Sequence, residues 1–286
     1  MSGLAILLVL ASTLLHTAWN GALKSTDSKR CFNAWLLTWS LLITLPGGIL
    51  ALSRGATMGW DALACALGSS LLWLVYYEGL ARAYDGGDLS AMYPVARGST
   101  PMIAAMIGLT HGELPTAAGW LGILAITVAV WLIGGAPTRL AGLRQPQFAA
   151  ALLVGAVGAG YSTLDTFGVR HCDVQLYQVV EYTLSATWLM AYTVRREGWA
   201  PVRDYGRSTW RLMILVALGG WGSYMLVLYA FRLAPTSYVV ALRATAVVWS
   251  VLYGGLVLRE GAMRRRLIYA GLMVLGVVLL KVWGSA

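Results

Sequence analysis

The chain has 286 residues, of which 58% are hydrophobic and only 12% are charged, and its formal net charge is +9. A soluble domain carries about 25% charged residues, so this composition excludes a soluble globular protein. The positive charge does not indicate nucleic-acid binding, because most basic residues fall in short segments between apolar runs. The three cysteines are an odd number at scattered positions, which excludes a disulfide framework.

Apolar runs of about 20 residues, the length that crosses a bilayer as a helix, follow one another along the chain. The loops between them are a few residues long, and the longest is expected around 195–209. The sequence therefore predicts a single-domain, all-α polytopic membrane protein with ten transmembrane helices. These spans are predicted at 3–23, 31–53, 60–82, 89–110, 116–135, 147–169, 174–194, 210–231, 237–258 and 266–284.

The first run is predicted to be a membrane span rather than a signal peptide. Residues 4–15 resemble the apolar part of a signal peptide, but the segment Met1-Ser2-Gly3 carries no basic residue. The apolar run also continues beyond Trp19, which is longer than a signal peptide requires.

Basic residues concentrate on one side of the predicted bundle. The loops after spans 1, 3, 5, 7 and 9 hold about fifteen Lys and Arg residues, whereas the opposite side holds about four. Cytoplasmic loops carry such an excess, so the basic loops are expected in the cytoplasm and both termini outside it. The membrane expected for such a chain is the inner membrane of a bacterium.

Features of the first half recur in the second. His16 and Asn20 in span 1 correspond to Tyr161 and Asp165 in span 6, and Arg97 and Arg243 lie 146 residues apart. We therefore predict two five-helix repeats, 1–135 and 147–286, joined by a linker at 136–146. An odd number of spans per half inserts the second half upside down, an arrangement that many secondary transporters share.

Three segments carry a family resemblance: HTAWN at 16–20, GDLSAMYPVARG at 87–98 and APTSYVVALR at 234–243. With glutamates ending spans 4 and 9, the chain resembles the ten-helix EamA-type members of the drug/metabolite transporter superfamily over nearly its whole length. The second half differs in having Ala-Thr-Ala after its arginine, where relatives often carry an acidic residue and a serine. The resemblance implies export of amino acids and related small metabolites by alternating access.

Arg97 and Arg243 each lie near the middle of an apolar run. An arginine at a bilayer centre costs about 2.5–3.5 kcal/mol on insertion scales, so such residues face a protein interior or a wet cavity. In a cavity, the guanidinium can bind a carboxylate, phosphate or phosphonate through two parallel hydrogen bonds. The alternative is a structural arginine, neutralised by a buried carboxylate. Pro94 and Pro101 flank Arg97 and are expected to bend or loosen its helix.

Few acidic residues lie within the predicted spans. A carboxylate inside the membrane pairs with a cation or takes up a proton, so Glu181, and after it Asp165, are the expected coupling or gating residues, with protons as candidate coupling ions. His16 is either a packing residue or a proton relay. Glu113 and Glu260 are expected to cap or anchor helices.

Aromatic residues form stripes on spans 3 and 8, where they either line a cavity or belong to the interfacial belts of a membrane protein. No spacing among His, Cys, Asp and Glu resembles a metal site, and no cofactor or catalytic residue is expected. The predicted substrate-binding residues are Arg97, Tyr93, Trp73, Tyr77, Trp221, Tyr224, Arg243, His16 and Asn20.

The leading functional hypothesis is a secondary transporter that exports a small metabolite with an anionic group, with amino acids favoured. The alternative is an exchanger of phosphorylated or phosphonate compounds. A remote alternative is an intramembrane enzyme, such as a lipid-modifying transferase, for which Ser69 and Ser70 with His16 are the only candidate residues. The expected partners are the substrate and the lipid bilayer, and the sequence does not indicate an oligomeric state.

Overall fold

A computed structural model of the protein describes residues 1–85, 89–133, 146–249 and 263–282, and it describes side chains within 1–17, 26–79, 95–133, 151–249 and 267–282. The residues so described form ten helices and no strand, which confirms the predicted all-α class. The helices are α1 (Gly3–Ser25), α2 (Lys29–Ser53), α3 (Trp60–Asp85), α4 (Leu89–Leu109), α5 (Ala117–Ile133), α6 (Pro146–His171), α7 (Val174–Glu197), α8 (Trp199–Leu233), α9 (Thr236–Ala244) and α10 (Met263–Val282).

Length and composition allow four of the described helical segments to cross a membrane. These segments are Lys29–Ser53, Trp60–Gly79, Ala151–His171 and Trp199–Leu233. The apolar segments Gly3–Thr17, Ala117–Ile133, Thr236–Trp249 and Leu267–Val282 are shorter. The predicted linker at 136–146 falls almost entirely outside the described residues, and the domain boundaries stay a prediction.

The prediction of a long loop at 195–209 was wrong. Gly198, with a φ of +85°, is the only residue between α7 and α8, and such a backbone angle is accessible mainly to glycine. Pro201 lies in the first turn of α8, where its missing N–H has no helical partner to lose. The indole of Trp35 on α2 donates to the carbonyl of Val202 at 2.8 Å, so this polar segment is a helix packed against the bundle.

The predicted span 237–258 is interrupted at Thr245, two residues after Arg243. Helix α9 ends at Ala244, and the next residue, Thr245, forms a turn in which its N–H and its hydroxyl both donate to the carbonyl of Leu242, at 3.1 and 2.6 Å. Residues 246–249 are helical again. Irregular backbone within membrane proteins is tolerated where protein or a cavity surrounds it, and this break places Arg243 at such a point.

The packing of the helices follows the predicted repeat. The contact of α3 with α6 corresponds to the contact of α8 with α1. In the same way, the contact of α2 with α8 corresponds to that of α7 with α3. Helix α2 also packs on α7, and α5 on α10. Advancing every helix by five positions therefore turns each of these pairs into another pair of the same group, as expected for a pseudo-twofold arrangement of two five-helix halves. The halves form an inverted repeat whose helices interleave.

Glycines bring particular helix pairs into backbone contact. A Cβ atom at Gly155 on α6 would lie 2.8 Å from the carbonyl oxygen of Ala96 on α4 and against the hydroxyl of Ser99. A Cβ atom at Gly276 on α10 would lie 2.8 Å from the carbonyl oxygen of Gly122 on α5. Small residues in membrane helices permit this close approach.

Candidate functional site

A small hollow lies where α4 of the first half meets α6 and α9 of the second. Both Arg97 and Arg243 line it, together with Thr100, Tyr161, Ser162, Val240 and Ala244. It leaves about 20 Å³ for the centre of a water-sized sphere, which is room for about one water molecule. The structure therefore brings the two predicted arginines together around a space too small for a metabolite.

Arg97 contacts His16, which α1 contributes to the same region. The Nη2 atom of Arg97 meets the Nε2 atom of His16, and His16 is buried. A guanidinium can only donate, so Nε2 accepts and the proton of a neutral imidazole resides on Nδ1. His16 thereby orients Arg97, and its role as a relay stays a prediction.

Arg243 lies beside an aromatic ring. Its guanidinium carbon lies 5.1 Å from the ring centre of Tyr224 on α8, within range of a cation–π interaction. The side chain is only 9% exposed, and its Nε atom has no hydrogen-bond partner. Within the described part of the chain, Arg243 forms no ion pair. A buried cation that lines a hollow and has an unused donor is suited to receive an anion.

Asp165 on α6 is held by two tyrosines. The hydroxyl of Tyr177 on α7 donates to Oδ1 at 2.8 Å, and the hydroxyl of Tyr224 donates to Oδ2. Asp165 is fully buried and has no cationic partner within 4.0 Å among the described residues. Tyr224 therefore links the carboxyl of Asp165, through its hydroxyl, to the guanidinium of Arg243, through its ring.

Glu181 lies on α7 in the same buried region. The hydroxyl of Ser185, one turn further along, donates to its Oε1 atom at 2.6 Å, while Oε2 has no partner. Glu181 is 1% exposed, and no described cation pairs with it. The predicted coupling role of both acids stays a prediction.

Trp73 is the centre of a buried aromatic cluster. Its ring centre lies 4.9 Å from that of Tyr224, 5.1 Å from that of Tyr161 and 5.3 Å from that of Tyr77. Trp73 and Tyr77 are buried in the core, whereas Trp221 is half-buried at its edge, with an unpartnered indole N–H. The cluster borders the hollow through Tyr161. The side chains of Tyr93 and Asn20 lie outside the described residues.

One end of the bundle is closed by a network that joins the halves. The carboxylate of Glu113, just after α4, accepts hydrogen bonds from the backbone N–H of Thr236 at 3.0 Å and from its hydroxyl at 3.2 Å. Arg170 at the end of α6 lies 3.5 Å from the same carboxylate and donates to the carbonyls of Phe231 and Ala234. The prediction that Glu113 caps a helix is confirmed, and the helix is α9 of the other half.

The opposite end is joined by Arg30 at the start of α2. Its guanidinium donates to Glu78 on α3 at 2.9 Å and to Glu197 on α7 at 3.1 Å. In the sequence, Arg30 and Arg170 are basic residues that flank apolar runs, and this position does not reveal their contacts with other helices.

Comparisons with known proteins agree with this architecture. The model of the EamA-like transporter family matches residues 147–282. Among solved structures, 28 chains match this one. One of them, described as the crystal structure of a protein, is 18% identical in sequence and has a TM-score of 0.74. The alignment covers 99% of this chain and 98% of that chain. At that identity the likeness establishes the fold alone. No curated protein matched the sequence.

Proposed function

From the premise that residues 147–282 belong to the EamA-like transporter family, we propose that the chain exports a small metabolite with an anionic group. Membership of this family makes the chain a membrane transporter of the drug/metabolite transporter superfamily. Amino acids are the favoured class. The observation that carries the proposal is that two arginines, the half-buried Arg97 and the buried Arg243, line one hollow between the inverted halves.

The arrangement supports binding of a carboxylate in several ways. His16 accepts a hydrogen bond from Arg97 and so holds the guanidinium plane of Arg97 in a fixed orientation. Arg243 retains an unused Nε donor. Hydrogen bonds between a guanidinium and a carboxylate are charge-assisted and frequently occur in parallel pairs. An anion between the two side chains would therefore neutralise the positive charges of Arg97 and Arg243, which apolar lipid does not do.

Alternating access fits the contacts at the two ends of the bundle. Glu113 with Thr236 joins the halves at one end, and Arg30 with Glu197 joins them at the other. Both contacts are formed while the hollow has room for about one water molecule. We assign this arrangement to a closed state, and opening of either end would enlarge the hollow toward that side.

The test is flux of amino acids in liposomes that contain the purified protein. Arg97→Ala should lower the flux by more than about tenfold, since losing a charge-assisted hydrogen bond costs about 1.5–3 kcal/mol. Protein abundance should be unchanged. Arg211→Ala, on the exposed face of α8, is the matched control and should transport normally. Equal flux in Arg97→Ala would remove Arg97 from the site.

A second candidate is exchange of phosphorylated or phosphonate metabolites. The observation that favours it is again the pair of arginines on one hollow, because a dianionic group can engage both guanidinium groups at once. Competition by phosphate esters in liposome exchange, in the absence of competition by amino acids, would support this candidate over the first.

A further inference from the structure

Helices α2 and α7 pack against each other, and each buries polar side chains along most of its length. On α2, Asn33, Ser40 and Thr44 are buried and recur at the spacing of one helical face. On α7, Ser185 and Thr193 are buried, and the buried Glu181 lies one turn before Ser185. These two helices belong to different halves of the bundle, so the seam between them is also the boundary that alternating access must shift.

Contacts near the ends of the seam fix how the two helices align. Arg30 bonds to Glu197 at one end, and the hydroxyl of Thr44 donates to Gln178 at 3.2 Å at the other. The two helices therefore run antiparallel, so successive residues of α2 lie opposite successively earlier residues of α7. This alignment places Asn33 opposite Thr193.

The same alignment continues toward the middle of the membrane. Ser40 on α2 falls opposite Ser185 on α7, and Ser185 donates to Glu181. Polar side chains thus lead from the surface contact of Arg30 with Glu197 to the buried carboxyl group of Glu181. The distance is about 24 Å, the rise of the sixteen helical residues from Glu197 to Glu181.

Several atoms in this seam have no hydrogen-bond partner. Both amide atoms of Asn33, the hydroxyl of Thr193 and the Oε2 atom of Glu181 lack one, and the three residues are 1%, 0% and 1% exposed. Leaving a buried polar group unsatisfied costs about 1–3 kcal/mol. Native proteins satisfy such groups with protein or with buried water, so these atoms favour water molecules within the seam.

We infer that the seam between α2 and α7 conducts protons between Glu181 and the membrane surface at Arg30 and Glu197. A proton from bulk water passes along water molecules held by Thr193 and Asn33 and binds to the Oε2 atom of Glu181, forming a neutral carboxyl group. Its release reverses this step, and no other bond changes. The inference deepens the proposed function and rests on it, since it supplies the coupling ion of that transporter.

The seam also contains an apolar layer that separates its two polar sections. Leu37 and Leu189 are buried, and the alignment places them opposite each other between the level of Asn33 and the level of Ser40. Asn33 and Ser40 lie seven residues apart, which is a rise of about 10 Å along the helix, so water must cross a gap of up to that length. A small separation of the two halves at this layer would connect the polar sections and control when protons pass.

The groups that surround Glu181 are mostly neutral donors rather than cations. Asp165 on α6 is an acidic group within electrostatic range of it. Tyrosines lie within electrostatic range from three helices: Tyr77 on α3, Tyr177 and Tyr182 on α7, and Tyr224 on α8. The cationic groups of α2, Lys29 and Arg30, are confined to its first turn. Proton uptake at Glu181 therefore depends on the charge of Asp165.

The first experiment needs no substrate. Infrared spectra of the purified protein in membranes are recorded at low pH after transfer from H₂O to D₂O. The carboxyl C=O band that is present in the wild type and absent from the Glu181→Gln variant is assigned to Glu181. In the double variant Asn33→Leu/Thr193→Val, exchange of this band should be at least tenfold slower than in the wild type. Leu189→Ser should accelerate exchange by adding a polar group to the apolar layer.

Matched variants separate conduction from folding. Thr187→Val, on the exposed face of the same helix, should leave the exchange rate unchanged, and Thr193→Ser should retain it by keeping the hydroxyl. Equal exchange rates in the wild type and the double variant, or no carboxyl band for Glu181 at any pH, would overturn the inference.

A second experiment distinguishes this inference from the proposed function. In liposomes, the double variant should lose pH-driven flux of radiolabelled amino acids while keeping their exchange at equal pH on both sides. If the wild type moves no amino acid, the proposed substrate class fails but the infrared result still stands. If pH-driven flux and exchange fall together in a folded variant, the seam serves substrate passage and the proton route is rejected.

Discussion

The guanidinium of Arg243 lies over the ring of Tyr224, whose hydroxyl donates to the carboxyl of Asp165. One tyrosine thus separates a buried cation from a buried acid that do not pair directly. Direct pairing would leave Arg243 with less charge to offer an anion. The tyrosine keeps the two groups close in space while leaving the guanidinium facing the hollow.

This relationship predicts that Tyr224→Phe destabilises the protein. The variant keeps the ring under Arg243 but removes one of the two hydroxyl donors to Asp165, and a lost partner of this kind costs about 1–3 kcal/mol. Thermal unfolding in detergent should show a lower melting temperature. In a double-mutant cycle with Asp165→Asn the effects should be non-additive; simple additivity would contradict the assigned hydrogen bond.

The sequence predicted the ten helices because each apolar run is long enough to be recognised by composition alone. It also identified Arg97 and Arg243, since a charge in such a run is conspicuous. It did not predict that Arg97 meets His16, because that contact joins residues from different helices and depends on how α1 packs. The helix at 199–209 was missed for a related reason: its polar sequence resembles a loop until Trp35 supplies a packing partner.

Paired glycines on α10 give a direct test of the fold. A methyl group at Gly276 would meet the carbonyl of Gly122 at 2.8 Å and the side chain of Ile126 at 2.7 Å, whereas Gly271 has nothing within 4 Å. Gly276→Ala should therefore lower the melting temperature, while Gly271→Ala should leave it unchanged or raise it through better helix propensity. Similar losses in both variants would contradict the assigned contact of α5 with α10.

Glu113→Ala should weaken the end of the bundle at which α9 begins. The change removes the acceptor for both donors of Thr236 and the anionic neighbour of Arg170, and loss of a helix cap costs about 0.5–2 kcal/mol. Because the same contacts join the two halves, this end should open more often.

Thiol labelling can detect that opening. A cysteine introduced by Thr166→Cys, at a buried position whose hydroxyl contacts Thr236, should react slowly with a water-soluble maleimide in a background whose native cysteines are replaced. Adding Glu113→Ala should increase the labelling rate. Ser53→Cys, at an exposed position, is the control and should label at one rate in both backgrounds. An unchanged rate at position 166 would show that Glu113 does not hold this end closed.

At the opposite end, the two acidic partners of Arg30 should differ in their contributions to stability. The side chain of Glu78 is 13% exposed and that of Glu197 is 35% exposed, and exposed ion pairs contribute only about 0–1 kcal/mol. Glu78→Gln should thus lower the melting temperature more than Glu197→Gln. Added salt should reduce the effect of Glu197→Gln first, because screening acts mainly on exposed charges. A larger loss for Glu197→Gln would mean that the interaction between the halves, rather than the one within the first half, dominates at this end.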